Sequence, residues 1–198
     1  MPVIGVLALQ GAFREHAKAL ASLGAEVREL RQAKHLPGIE GLVIPGGEST
    51  TMGKLLVDLD MMDPIREAIA HGLPVYGSCA GLILLCKNIE GSDQPRIGLL
   101  RATVRRNAFG RQVDSFETPL SVKGLDGAFH AVFIRAPLIN AVEPGVEVLA
   151  TIPRQTGANG QHDEIVAVRQ DNILATSFHP ELTQDTRLHQ YFLDMVRA

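Results

Sequence analysis

From Val3 to Leu9 the chain is an unbroken aliphatic run, and the residues after it change period. Between Phe13 and Leu23 the apolar positions Phe13, Ala17, Leu20 and Leu23 recur at three- and four-residue steps, which predicts a helix closed by Gly24. Glu26 to Leu30 predicts a short strand, and Gly41-Leu42-Val43-Ile44 a buried one ending at Pro45-Gly46-Gly47. Helices over Thr50 to Leu59 and Pro64 to His71 follow, then a strand from Pro74 to Gly77. Leu82-Ile83-Leu84-Leu85 opens another apolar helix. Such alternation predicts a parallel sheet with helices on both faces.

Past residue 96 strands and turn residues take over: Gly98 to Val104, Val113 to Val122, Phe129 to Ile134, Val146 to Ile152, Glu164 to Arg169 and Ile173 to Ser177. These read as antiparallel or mixed additions that return to the central sheet. The polar, glycine-bearing stretch 154–163 predicts an exposed loop. Thr183 to Val196 closes the chain as a helix with Leu188, Phe192 and Met195 at core spacing. The sum is an α/β fold of three layers, α/β/α, around a mixed, mostly parallel sheet. With no internal repeat, 198 residues at 45% apolar can bury a full core, most simply as one domain over 1–198.

Composition mainly excludes. A net charge of −3 gives no electrostatic footprint for nucleic acid or an anionic membrane. No apolar stretch approaches the roughly 20 residues that span a bilayer, and the N-terminus lacks the basic region of a signal peptide. The two cysteines, Cys79 and Cys86, suit neither a disulfide framework nor a zinc motif, so no metal and no cofactor is expected. A reducing, cytoplasmic compartment fits best.

Candidate chemistry centres on Gly77-Ser78-Cys79-Ala80-Gly81, a strand-to-helix turn of the nucleophile-elbow form. A lone cysteine is usually a small buried hydrophobe, and Cys86 is read so; the elbow shifts Cys79 toward a nucleophile. His179 follows a buried strand, and Glu181, two residues on, points to the same side of an extended segment. Glu181 can then fix the tautomer of His179 while the other ring nitrogen faces the sulfur. Pro45-Gly46-Gly47-Glu48-Ser49-Thr50 ends a strand without the Gly-Lys-Ser/Thr of a phosphate loop, so it is a plausible source of one oxyanion N–H from Gly47, with Ala80 giving the other. Arg105, Arg106, Arg111 and Arg135 are ambiguous: a solvated charge, or a clamp for a substrate carboxylate. His16, His71, His162 and His189 have no partner pattern and read as surface residues.

Taken together, Gly-Ser-Cys-Ala-Gly with His179-Pro180-Glu181 resembles the triad glutamine amidotransferases. Ala8-Leu9-Gln10-Gly11-Ala12, Gly46 to Thr51, the run Arg106 to Glu117, Phe133 to Pro137 and Ser177 to Thr183 are similar to one branch, the glutaminase subunits of pyridoxal 5′-phosphate synthase. The resemblance implies a class I amidotransferase-like fold and the triad Cys79, His179 and Glu181. It implies an L-glutamine site lined by Gly47, Glu48, Ser49, Arg106, Ile134 and Arg135, with Gly47 and Ala80 as oxyanion donors. It further implies hydrolysis of glutamine to glutamate and ammonia, a synthase subunit as partner that receives the ammonia, and both hydrolase and lyase as class terms. Such glutaminases switch on when docked, and the Gln10-Gly11 turn and the Phe13 helix would lie near the partner. Ser78 stands where the family has threonine. A glutaminase or γ-glutamyl hydrolase of another pathway, a non-catalytic regulatory subunit and a redox-sensing thiol remain as alternatives.

Overall fold

The computed structural model describes residues 1–107, 115–156 and 160–198, with backbone alone at 154–156 and 160–162. In chain order the first half runs β1 (Val3–Leu7), α1 (Phe13–Ser22), β2 (Glu26–Leu30), β3 (Gly41–Ile44), α2 (Ser49–Asp58), α3 (Met62–Ala70), β4 (Val75–Ser78) and α4 (Ala80–Leu85). The second half runs β5 (Cys86–Ile89), β6 (Leu100–Arg105), β7 (Ser115–Ser121), β8 (Ala128–Ile134), β9 (Leu138–Val142), β10 (Glu147–Thr156), β11 (Gly160–Gln170), β12 (Ile173–Thr176) and α5 (Arg187–Arg197).

Strands β2-β1-β3-β4-β12 pair in parallel, in that order, and β11, β9, β6 and β5 extend the sheet, with β10 hydrogen-bonded to β11. The β11–β12, β9–β11, β6–β9 and β10–β11 pairs are antiparallel, so the sheet is mixed but mostly parallel in its central half. Strands β7 and β8 form a separate antiparallel ribbon. Side chains alternate across the sheet with the two-residue period of a strand. Leu42, Ile44, Val75, Ile173 and Ala175 face a core closed by α2, α3 and α4. Ile4, Val6, Val43, Tyr76 and Leu174 face the other, closed by α1, α5 and the ribbon. The three-layer α/β/α expectation is therefore met. Among the described residues no helix is long and apolar enough to cross a membrane.

Several expectations are corrected. Residues 154–156 and 160–163 are not loop but the arms of a β10–β11 hairpin, paired Arg154 with His162 and Thr156 with Gly160; 157–159 lie outside the described residues. The hairpin continues the β10–β11 ladder outward from the sheet, so its polar sequence was no sign of a loop. The helix after the elbow stops at Leu85, and Cys86 starts a strand. A short apolar run does not separate buried helix from buried strand. The C-terminal helix begins at Arg187, after a 3₁₀ turn at Pro180–Leu182. Strand β9 was not anticipated. Residues 108–114, the middle of the arginine-bearing run, lie outside the described residues.

Candidate active site

The parallel register brings three chain segments to one sheet edge. Ile44 aligns with Gly77, and Ser78 with Thr176, so the turns after β3, β4 and β12 emerge side by side. This is the carboxyl edge, where open α/β sheets bind ligands. At the elbow, a Cβ on Gly77 would stand 2.7 Å from the Gly81 backbone, and one on Gly81 would run into the carbonyl oxygen of Ile44. Both glycines are therefore set by close approach of backbone to backbone. Between them Cys79 adopts φ 51° and ψ −103°, which is unfavourable for any side chain bearing a Cβ. Its N–H donates to the Thr176 carbonyl at 2.8 Å, tying the elbow to β12.

His179 Nδ1 lies 2.6 Å from Glu181 Oε1, and Cys79 lines the same cleft beside the His179 ring. The His179 N–H donates to the Val132 carbonyl at 2.8 Å, which anchors the segment to β8. The Cys79 thiol faces the Ile134 carbonyl at 3.9 Å. Burial pushes the His179 pKa down, but hydrogen bonds and charges from Cys79 and Glu181 outweigh it and raise the pKa to about 10. Burial likewise opposes ionisation of Glu181, and His16 and His179 reverse that, holding its carboxyl below the usual range. The arrangement favours an imidazolium beside the sulfur and a carboxylate behind it.

A cleft of about 510 Å³ opens over the sulfur. Gly47, Glu48, Ser49, Ala80, Arg106, Ile134 and Arg135 all line it, together with Cys79 and His179. A larger pocket of about 760 Å³ around Arg66, Lys87 and Arg96 shares none of these residues, and the chemistry, not the size, singles out the smaller one. Gly46 has no room for a side chain: a Cβ there would run into the His179 ring and stand 3.4 Å from Cys79 Cβ. Glu48 lines the cleft, but its carboxylate caps α2, accepting from the Thr51 N–H at 2.7 Å and from both Thr50 and Thr51 hydroxyls. Arg106 donates to Gln94 Oε1 at 2.8 Å, which orients its guanidinium. Arg135 holds φ 45°, a left-handed conformation that turns the chain at the rim.

Three side chains at the site were missed. Gln10 lines the cleft, and its Oε1 accepts from the Glu48 N–H at 2.8 Å. His16 and His189, expected at the surface, are fully buried behind Glu181. His16 Nε2 lies 3.4 Å from Glu181 Oε2 and its Nδ1 2.8 Å from His189 Nε2. The signal was present in the periodicity: His16 falls three residues after Phe13 and four before Leu20, and His189 three before Phe192, all on the apolar faces of α1 and α5. His71 is exposed and Cys86 buried, as read from sequence; His162 is among the residues described as backbone alone.

A family model described as the SNO glutamine amidotransferase family matches residues 6–198. The pyridoxal 5′-phosphate synthase subunit PdxT of Moorella thermoacetica is 57% identical over 194 residues, covering 98% of both chains. A crystal structure of a glutamine amidotransferase superposes with a TM-score of 0.89 at 52% identity, covering 98% of this chain and 99% of that one. PurLQS from Thermotoga maritima shares the fold at 17% identity, with a TM-score of 0.67 over 98% of each chain. These matches correct one expectation: lyase does not describe this chain, whose family is defined by glutamine amide chemistry, a hydrolysis.

Proposed function

The chain belongs to the SNO glutamine amidotransferase family, and from that premise we infer that it is the glutaminase subunit of a pyridoxal 5′-phosphate synthase. The observation that carries this reading is the His179 ring, bonded to Glu181 and sharing with Cys79 a cleft lined by backbone turns and two arginines. In the proposed reaction the proton shared by Cys79 and His179 rests on His179 Nε2, and Sγ attacks the side-chain amide carbon of L-glutamine. The N–H groups of Gly47 and Ala80 face the oxyanion that forms. His179 returns the proton to the leaving nitrogen, ammonia departs, and a glutamyl thioester remains. Water, deprotonated by the same ring, resolves the thioester to L-glutamate and the free thiol. Glu181 keeps the Nδ1–H tautomer throughout.

Arg106 and Arg135 offer planar cations for the substrate carboxylate, and the Ile134 carbonyl and the turn from Gly47 to Ser49 complete the frame. Glu48 contributes its backbone, because its carboxylate is committed to α2. The ammonia acceptor is a synthase subunit, docked over the cleft. The two cores share one sheet, so residues 1–198 act as one domain. Two unpaired cysteines support a reducing, cytoplasmic setting.

Cys79→Ala tests the reading. With a pyridoxal 5′-phosphate synthase subunit present, wild-type protein should release ammonia from glutamine and the variant should not. Retained turnover in the variant removes the nucleophile assignment.

A further inference from the structure

Behind the triad lies a chain of buried polar groups that the amide chemistry above leaves without a role. Glu181 has two carboxylate oxygens. Oε1 accepts from His179 Nδ1 at 2.6 Å, whereas Oε2 is buried without a hydrogen bond of good geometry. The ring nitrogen facing Oε2 is His16 Nε2, at 3.4 Å. The same nitrogen is 3.0 Å from Ser78 Oγ, directly before the nucleophile, and His16 Nδ1 is 2.8 Å from His189 Nε2. Tyr76 packs edge-on against both rings, at 6.0 Å and 6.2 Å. Among the described residues no group of three His, Cys, Asp or Glu is placed to hold a metal ion, so hydrogen bonding must account for the cluster.

Proton placement can be worked out from these contacts. Burial drives both histidines toward the neutral form, against the pull of Glu181. Each neutral ring then carries one N–H. In the first arrangement His189 Nε2–H donates to His16 Nδ1, and His16 Nε2–H points at Glu181 Oε2 and Ser78 Oγ. The His189 Nδ1 lone pair is then left unpaired, and that atom is indeed buried without a partner. In the reverse arrangement the His16 Nε2 lone pair can accept from the Ser78 hydroxyl but also faces a buried carboxylate, and His189 Nδ1–H becomes a buried donor with no acceptor. Lone-pair repulsion of an anion and an orphaned donor both disfavour the reverse.

We propose that His16, held in its Nε2–H tautomer by His189, is a positioning residue that fixes the Glu181 carboxylate against His179 and thereby aims the imidazole at the Cys79 sulfur. A neutral donor suits this place. A fixed cation would draw the negative charge of Glu181 away from His179 and weaken the support it gives to the imidazolium; a neutral N–H orients the carboxylate and leaves its charge in place. The inference rests on the glutaminase reading, and the experiment keeps the two apart.

Ammonia release is measured for the full chain with its synthase subunit. No turnover in the wild type, or full turnover in Cys79→Ala, would sink the glutaminase reading whatever His16 does. Given an active wild type, His16→Leu should lower kcat about 10- to 100-fold, the range typical of removing a partner that orients a reacting group, and leave KM for glutamine within about twofold. His16→Gln, which keeps an Nε donor, should regain most of that loss. Nitrogen-15 spectra of histidine-labelled wild type should show His16 and His189 neutral and both as Nε2–H near neutral pH. Full kcat in His16→Leu, a change confined to KM, or an Nδ1–H tautomer at His16 would overturn the proposal. If His16→Leu does not fold, a folded His16→Gln with no activity overturns it, and an active one with the expected tautomer upholds it.

Discussion

Cys79 is held at φ 51° and ψ −103°, a conformation that costs a residue with a Cβ about 1–3 kcal/mol and persists only where the surroundings over-determine it. They do so here: its N–H is tied to Thr176, and Gly77 and Gly81 pack backbone against backbone on either side. The sulfur is thereby lifted out of the turn toward the cleft. Stored strain of this kind is measurable without activity. Cys79→Ala keeps the Cβ and so the strain; Cys79→Gly releases it and gives back part of the gain as chain entropy. The glycine variant should be more stable than the alanine variant by about 1 kcal/mol in urea unfolding, although glycine ordinarily destabilises. A glycine variant less stable than the alanine one would show that the elbow carries no strain. The meeting of Cys79, His179 and Glu181 was legible in the sequence because each sits in a local pattern: an elbow, a strand end, an i to i+2 step. His16 and His189 were not, because their meaning lies in a contact 173 residues apart in the chain. On the apolar face of its own helix, each looks like any other histidine.

At the scale of elements, the turn after β3 has two tasks. Gly46 abuts the His179 ring, and its carbonyl accepts from the Ala12 N–H at 2.9 Å, locking this turn to the one after β1. Two residues on, Glu48 caps α2. Hydrogen bonds from the Thr50 and Thr51 hydroxyls lower its pKa to about 2 from 4.5. A depressed carboxylate contributes stability that is full above the unfolded value and lost as pH falls through the folded one. The thermal-stability advantage of wild type over Glu48→Gln should therefore be constant above pH 4.5 and shrink as pH falls toward about 2, because the glutamine can still accept but carries no charge to titrate. A difference that stays constant with pH would mean the charge of Glu48 adds nothing to the cap. The strands and helices of the first half were legible in the sequence, since their period changes cleanly at Gly24, Pro45 and Gly72. Less legible were the short α4 that ends the first half and, in the second, β9 and the polar β10–β11 hairpin, which owe their form to partners across the sheet rather than to their own pattern.

Across the whole molecule, the parallel sheet gathers Cys79, His179 and Glu181 at one edge, and the layer of α1 and α5 places two buried histidines behind them. That choice has a consequence for stability. Burial, opposed only in part by Glu181, lowers the His189 pKa to about 3 from 6.5, and it lowers His16 as well. In the unfolded chain both rings titrate normally. Between pH 6.5 and about 3 the unfolded state therefore binds protons that the folded state refuses, and stability falls as pH falls through that window. His179 acts in the opposite sense and elsewhere: with its folded pKa at about 10, its contribution is full below 6.5 and is lost as pH rises. The acid side is thus where the buried pair is read apart from His179. One histidine that is neutral when folded and charged when unfolded adds a slope of about 1.4 kcal/mol per pH unit. Urea unfolding from about pH 7 to about pH 5 should show wild type losing stability more steeply than His189→Leu, by up to that slope, with carboxylate contributions common to both. Parallel curves would mean that His189 takes its proton in the folded state, and the neutral tautomer chain behind Glu181 would fall with it.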